Sequence, residues 1–425
     1  MKRSFLATLA PALISLIAFN YLPVAMADVP NSISISGTGY GHGVGMSQIG
    51  ARGLALEGDT ATAIMNYYFP NSDVTALQDD QILRINIGHQ LTTLKISGAS
   101  TGMNWQVIPG IEGDTSSAIS LSAKDSVTFS IGQNKVAANL SKSGVKSNLS
   151  NNSAFTIRWS GTRYLAGDTS LINVAHSNKT TLYKYGQIQV KAIKDVKLGV
   201  RLELINLVKL HDEYLWGISE VSSSWPTAAL EAQVIASRSY ALSKAGKIQK
   251  GCDCDLYGSV SDQIFAGYSK EAEPKWGKLW KTAVTNTATS ETSGLVVSQN
   301  NLVLRTYFTS STGGVTETSL NAWGSDLGYT YSVNDPWSLD PKLNPNYFKW
   351  KRDLSQSLLA AAFGLPDIAS LKILSLNQTG TVKIIEGRSS TGKRVKLSGE
   401  TFRSRCKLPS PWFSLTGEEL VSVQN

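Results

Sequence analysis

The sequence predicts an α+β fold, a strand-rich mixed sheet core with a few helices. Three observations predict it. Between Ile82 and about Lys209, short β-type runs recur, separated by Gly, Ser, Asn and Thr. After Trp225-Pro226 a long alanine-rich stretch has helical spacing. The 425 residues are 42% hydrophobic and 17% charged, enough for a large core, and three cysteines exclude a disulfide-built scaffold.

Asn31 to Ser36 alternates polar and apolar with period two, a short strand. Gly37, Gly39, Gly41, Gly43 and Gly45 then alternate with other residues in a dense turn. Met46 to Leu56 reads as a helix stopped by Gly58, and a second helix, capped by Asp59 or Thr60, carries Ile64, Tyr67 and Tyr68 and ends before Pro70. Strands follow at Ile82, Arg84–Ile87, Leu94–Ile96, Val127–Phe129, Phe155–Trp159, Ile188–Val190 and Leu202–Leu207. Residues around 90–185 form a β-rich insertion or subdomain, its 115–154 portion rich in Ser and Asn.

The strongest helix begins at Pro226, which suits a first turn because its missing N–H costs nothing there. Leu230, Val234, Ser237 and Ala241 share a face, and Gly246 ends the helix. Leu295–Val297, Leu302–Leu304 and Thr306–Phe308 are strands, and Ser310–Gly314 is a tight polar loop. Near the C-terminus a helix at 353–363 precedes strands at 371–376, 381–386 and 394–397.

The first residues set the compartment. Lys2 and Arg3 precede an uncharged stretch from Ser4 to Ala27, and Ala25-Met26-Ala27 has the small-x-small form of a signal peptidase site. Residues 1–27 are therefore expected to be a signal peptide, with 28–425 secreted or associated with the cell wall. No later stretch reaches the ~18–20 apolar residues of a membrane span. With 40 Lys+Arg against 32 Asp+Glu the chain is mildly basic, which suits an anionic surface; the scattered cations do not indicate nucleic acid. Cys252 and Cys254 stand too close for a bridge of ordinary geometry, so either Cys406 pairs with one of them or all three are free.

The glycine turn follows a strand and precedes a helix, yet it is not a dinucleotide fingerprint: His42 and Gln48 occupy the positions of the third glycine. Gly45-Met-Ser47-Gln-Ile49 likewise lacks the second glycine of a nucleophile elbow. His42 is the single imidazole in this turn. In the second dense patch, Tyr214 to Pro226, Glu220 is flanked by Ile218 and Val221, with Trp216 and Trp225 near in sequence. Burial among such residues raises a carboxyl's pKa and keeps it protonated, as a general acid requires.

His42-Gly-Val-Gly-Met-Ser-Gln48-Ile-Gly-Ala51, with Ile64-x-x-Tyr-Tyr68 and Pro70, resembles a signature of the stage II sporulation protein D family (SpoIID/LytB), which includes the amidase enhancers. Further matches are Tyr214-Leu-x-Gly217, Ser219-Glu220, Ser224-Trp-Pro226, Ala229-Leu-x-Ala-Gln233, Ala236-Ser-Arg238-Ser-Tyr-Ala241, Asp262 to Gly267, Tyr307 to Gly314, and Leu397-Ser-Gly-x-x-Phe-Arg403. The family usually carries the first block near its C-terminus, so a SpoIID-like fold with circularly permuted motif order is expected. The resemblance implies a peptidoglycan lytic transglycosylase that cleaves glycan strands stripped of stem peptides between N-acetylmuramic acid and N-acetylglucosamine, forming 1,6-anhydro products, with Glu220 as the catalytic glutamate. His42 would orient substrate or Glu220. Trp216, Trp225, Gln48, Gln233, Arg238, Ser310, Ser311, Gly313 and Gly314 would line one groove.

The alternative from a different class is a non-catalytic wall-binding protein that enhances a peptidoglycan amidase. A hydrolase would need a second carboxylate near Glu220. Some family members hold zinc near the segment matching Cys252 to Asp262. Here no histidine joins the two cysteines, and no cofactor is expected. The permuted order also implies that the unit at 37–68 packs against the C-terminal strands and against Glu220.

Overall fold

The computed structural model describes residues 29–111 and 115–415. The signal-peptide expectation for 1–27 lies outside them. Among the described residues the architecture is strand-rich α+β.

The strand pattern at 82–209 builds two sheets that share one core. Seven strands run in the order Leu256–Tyr257, Ile82–Leu91, Gly199–Lys209, Gln187–Asp195, Ala154–Trp159, Asn104–Pro109 and Ile119–Ser122. Six more run Val145–Asn152, Lys135–Lys142, Ser126–Gly132, Thr93–Gly98, Ile172–His176 and Lys179–Tyr183. Trp105, Phe129, Phe155 and Trp159 are completely buried between them, where aromatic side chains remove the most apolar area from water. The Ser- and Asn-rich segment is thus paired sheet: Lys135–Lys142 pairs with both Ser126–Gly132 and Val145–Asn152.

Three helices carry the rest of the core. Helix α1 (Gln48–Glu57) is capped by Ser47, whose Oγ accepts from Gly50 N at 3.1 Å, and ends at Gly58 in the left-handed conformation. It starts two residues later than the spacing predicts, because Met46–Ser47 pairs in parallel with Phe308–Thr309. Helix α2 (Ala61–Tyr68) is capped by Thr60. Helix α3 (Thr227–Lys244) has Pro226 at its N-cap, and Leu230, Val234, Ser237 and Ala241 are all buried.

Near the C-terminus, residues 350–355 form a strand, whose last three residues, 353–355, replace the first turn of the expected helix. Strand Ser32–Gly37 claims them as its partner, Ile33 opposite Leu354, and the helix begins at Gln356, after the Ser355 cap. The same N-terminal strand also pairs with Phe413–Leu415, so both ends of the described chain meet in one sheet. Helices Gly277–Asn286 and Gly399–Cys406 were missed in the sequence, although Trp280, Ala283 and Val284 of the first are buried at helical spacing; the second is short and buries only Phe402 and Cys406 beside its first glycine.

The cysteine expectation is corrected. Cys252 and Cys254 are bridged, and Cys406 is free and buried. Asp253 adopts a left-handed conformation (φ 52°) and Gln249 N donates to Cys254 O at 2.8 Å, so the chain doubles back and the two Cα atoms lie 5.2 Å apart, within the ordinary range for a bridge. Sequence adjacency hid a turn that brings the side chains together.

Candidate active site

Glu220 sits where two short segments pair. Ile218 bridges Phe265, Ser219 N donates to Ile264 O at 2.9 Å, and Ala266 N donates to Gly217 O at 2.8 Å. A side chain at Gly217 would meet the Phe265 ring at 2.3 Å, so only glycine lets the segments close. Ile264 N then donates to Glu220 Oε1 at 2.6 Å. Burial raises the Glu220 pKa above that of an ordinary glutamate, while this backbone bond acts in the opposite, weaker sense.

Glu220 opens onto a cleft of about 830 Å³. Its opposite side is made by the glycine turn and the Ser310 loop. Gly45 (φ +78°) has no room for a Cβ, which would lie 2.0 Å from Tyr307 O; that closeness lets Met46 N donate to Tyr307 O at 3.0 Å. Ile49 N donates to Ser310 O at 3.0 Å, and Tyr40 and Ser311 exchange both backbone bonds. The loop is therefore fixed to the N-terminus of α1 by main chain.

His42, Gln48, Glu220 and Ser310 all line this one cleft. The sequence separation of His42 and Glu220 is bridged by the packing of α1 on α3, where Gln48 meets Gln233. Val44 N donates to His42 Nδ1 at 3.0 Å, so Nδ1 is the acceptor and the proton of the neutral ring resides on Nε2. Burial, helped by the positive charge of Arg403, lowers the His42 pKa to about 4. The ring is a neutral donor at physiological pH, packed edge-on to Trp323 at 5.1 Å and Tyr307 at 6.2 Å.

Gln233 stands behind Gln48 and accepts from its Nε2 at 3.2 Å, while donating to Ser237 Oγ at 3.1 Å. It positions Gln48 and is itself buried.

Six other expected groove residues do not line this cleft. Arg238 is completely buried and ion-paired to Asp79 at 2.7 Å, where a guanidinium is compensated only by an equally buried carboxylate. Trp216 faces a different surface, against Tyr185 and under Lys281, whose Nζ is 4.2 Å from the ring centroid. Gly313 and Gly314 lie beneath the cleft rim. Gly313 packs under the Trp412 indole, and Gly314 O accepts from Asp335 N at 2.7 Å. Ser311 is also buried, and Trp225 is half-buried with the Arg52 guanidinium 5.6 Å from its ring.

The cleft has walls that the motifs did not mark. Asp262 lines it beside Glu220, but Tyr240 OH donates to its Oδ1 at 2.7 Å, Tyr257 N donates to its Oδ2 at 2.9 Å, and Lys244 pairs with it. Tyr40, Tyr347, Arg352, Arg403 and Lys407 complete the lining. Among the carboxylates whose positions were open, Asp212 pairs with Lys209, Asp326 is exposed, and Asp335 is sealed among hydroxyls away from the cleft.

The segment matching the zinc-holding region of the resemblance does not fit a metal. Both Cys252 and Cys254 sulfurs are used in their bridge, leaving no thiolate to coordinate.

Comparison with known proteins bears on the same segment. Residues 199–298, which hold Glu220, Gln233 and α3, match the family model SpoIID, described as stage II sporulation protein. The chain is 30% identical over 200 residues to the stage II sporulation protein D of Bacillus subtilis (strain 168), covering 44% of this chain and 56% of that protein. It is 29% identical over 141 residues to the amidase enhancer of the same organism, covering 33% of this chain and 16% of that protein. The stage II sporulation protein D of Bacillus amyloliquefaciens is 24% identical over 201 residues, with 44% and 56% covered. The chain thus spans little more than half the length of the sporulation proteins and a small part of the amidase enhancer. No solved structure matches it.

Proposed function

We propose that this chain, a member of the SpoIID family through residues 199–298, is a peptidoglycan lytic transglycosylase that uses Glu220 as its general acid. One observation carries the reading. Glu220 is a carboxyl whose pKa burial raises, held by the Ile264 N–H at 2.6 Å and open to a cleft large enough for several sugar rings. Among the described residues no helix is long and apolar enough to cross a membrane, which is compatible with action at the wall.

The steps balance with one protein carboxyl. Protonated Glu220 gives its proton to the glycosidic oxygen as that oxygen leaves C1 of N-acetylmuramic acid. The 6-hydroxyl oxygen of the same sugar bonds to C1, closing a 1,6-anhydro ring. Ionised Glu220 takes the 6-hydroxyl proton and is restored. The nucleophile comes from the substrate, so a second carboxylate at the spacing of a hydrolase is not required. Asp262 is the nearest candidate for such a partner, but it already serves Lys244, Tyr240 and the Tyr257 backbone. His42 Nε2–H and the Gln48 side chain are the donors that would hold sugar hydroxyl or acetamido groups against Glu220.

The meeting of strands Ser32–Gly37 and Phe413–Leu415 supports a permuted arrangement of the family fold, since transferring a strand-turn-helix unit between ends needs the ends to be adjacent. A second reading has its own observation: one relative is named amidase enhancer. On that reading the cleft binds wall glycan without cleaving it and a peptidoglycan amidase is the partner. Mass analysis of products from purified glycan separates the readings. Anhydro-ended fragments support the transglycosylase, reducing-end fragments a hydrolase, and intact glycan together with a stimulated amidase the enhancer.

A further inference from the structure

Strand Ile82–Leu91 does not run evenly along its neighbour Gly199–Lys209. Gly88 lies opposite Leu204 and Leu91 opposite Leu202, so two residues, His89 and Gln90, share the space opposite the single residue Glu203. A bulge of this kind re-aims side chains and recurs beside functional sites. Gln90 takes the left-handed conformation (φ 53°), which a residue with a side chain adopts at a cost. Glu203 holds it there. Its buried carboxylate accepts from Gln90 N at 3.0 Å, from Asn86 Nδ2 at 2.7 Å and from His89 Nδ1 at 2.9 Å.

An ionised carboxylate only accepts, so His89 Nδ1 carries a proton and, in the neutral ring, Nε2 is the acceptor. Nε2 has no partner among the described residues, and the ring lines a cleft of about 450 Å³ with Asn86, His176, Tyr257, Ser259 and Ser261. The Tyr257 ring stands edge-on to His89 at 5.0 Å. His176 Nε2 donates to Ile87 O at 3.0 Å, which fixes that ring on the same strand. The segment 257–264 is a partition. Tyr257, Ser259 and Ser261 line this cleft, while Val260, Asp262 and Ile264 line the cleft of Glu220. The two clefts have no lining residue in common.

We propose that this second cleft is a binding site for a neutral saccharide, with His89 Nε2 accepting a sugar hydroxyl. The lining decides the class of ligand. It contains no Lys, Arg, Asp or Glu, so nothing in the cleft compensates a charged ligand. One imidazole acceptor makes no metal centre either: among the described residues no group of three His, Cys, Asp or Glu side chains could hold an ion. What the cleft offers is hydroxyls, an amide, an oriented imidazole and an aromatic ring, a set that pairs with the hydroxyls and the apolar ring faces of a sugar. The assignment stands on this cleft's own chemistry. Its use in keeping the chain on the wall between cleavages rests on the glycan reading of the Glu220 cleft.

The probe is the neutral tetramer of N-acetylglucosamine, added to the mature chain with Glu220→Gln so that binding is read without cleavage. The chain has four histidines, so isotope-labelled imidazoles report each cleft separately by NMR: His42 the Glu220 cleft, His89 and His176 the second. The His89 and His176 resonances should move and saturate with the tetramer. His89→Ala should weaken that binding, read from His176, by about tenfold, the size of one hydrogen bond. Ser259→Ala with Ser261→Ala should weaken it as well, with an unchanged melting temperature because both residues are exposed. That variant keeps the test decisive where His89→Ala fails to fold. Stillness of His89 and His176 overturns the second site, and movement of His42 alone leaves the glycan reading of the Glu220 cleft standing. Unchanged affinity in both variants overturns the assignment to these residues. Tighter binding of inorganic phosphate than of the tetramer, read from the same two imidazoles, overturns the neutral ligand.

Discussion

The corner around Glu220 and the pocket around Asp335 hold two buried carboxyls whose pKa values are displaced in the same direction by the same cause. Their surroundings differ. Glu220 receives one backbone N–H and faces the cleft. Asp335 is fully enclosed: Thr312 Oγ1 donates to it at 2.6 Å, Ser338 Oγ at 2.5 Å and Tyr68 OH at 3.3 Å, and Ser47 joins through Ser338. Asp335 ties together α1, α2 and the Ser310 loop; Glu220 ties nothing beyond one backbone group. A raised pKa therefore marks burial, and access to a cleft is what makes one of the two a candidate acid.

The sharpest way to break this comparison is Glu220→Gln. Glycan cleavage should fall by roughly 10²–10⁴-fold, the usual share of a general acid. The melting temperature should be kept, because glutamine has the same size and its side-chain oxygen can still accept from the Ile264 N–H. Retained release of anhydro-ended products would remove Glu220 from the mechanism.

Asp335→Ala should do the reverse. Three hydroxyls lose their common acceptor in a sealed site, a cost of about 3 kcal/mol. Urea unfolding is the direct measurement. Any loss of cleavage should accompany loss of folded protein, and a variant of full stability would show that the hydroxyls satisfy one another without the carboxylate.

The pH dependence is a smaller and more specific test. The folded-state pKa of Glu220 lies above its unfolded value, so the protonated, active form persists to higher pH than for an ordinary glutamate and is lost as pH rises through the folded pKa. Cleavage should fall on the alkaline side of that raised value. The same sign holds for stability: Glu220 and Asp335 favour the fold when protonated, and that contribution disappears as pH rises. An alkaline limb with the ordinary pKa of an exposed glutamate would mean that the cleft hydrates Glu220 fully.

His42→Gln should have the least effect. With a pKa of about 4, His42 is neutral between pH 5 and 8, so it supplies a hydrogen bond and no charge. The rate should change by less than about tenfold, as for one neutral contact, and the alkaline limb should stay where it is. A shifted limb would show that His42 acts on Glu220 itself.

Much of this organisation was readable in one dimension. Short β-type runs marked six of the thirteen strands of the large sheets, Thr60 and Gly58 marked helix ends, and a glutamate between Ile218 and Val221 stood out because local apolar neighbours predict burial. Groupings made from nearness in sequence failed, whereas the expected approach of the glycine turn to Glu220 and to the C-terminal strands is what the fold contains. Trp216 and Arg238 were grouped with Glu220 because they are near in sequence, yet α3 carries Arg238 inward to Asp79 and the preceding turn carries Trp216 to another face. Residues 353–355 read as helix because their local preference is weak, and a partner strand more than 300 residues away decided the matter.

The sequence by itself determined the class of fold and the glycine turn, because those follow from local sterics and from hydrophobic pattern, whereas Glu220 was singled out by the family resemblance. Only the tertiary structure decided which groups share the cleft. Arg352 and Lys407 reach His42 because strand Ser32–Gly37 pairs with both Trp350–Ser355 and Phe413–Leu415, and Glu220 joins them through the packing of the glycine turn on Phe308–Thr309 and of Gln48 on Gln233. Backbone pairing of this kind is satisfied by any residue type, so side chains carry little record of which distant strand it will choose.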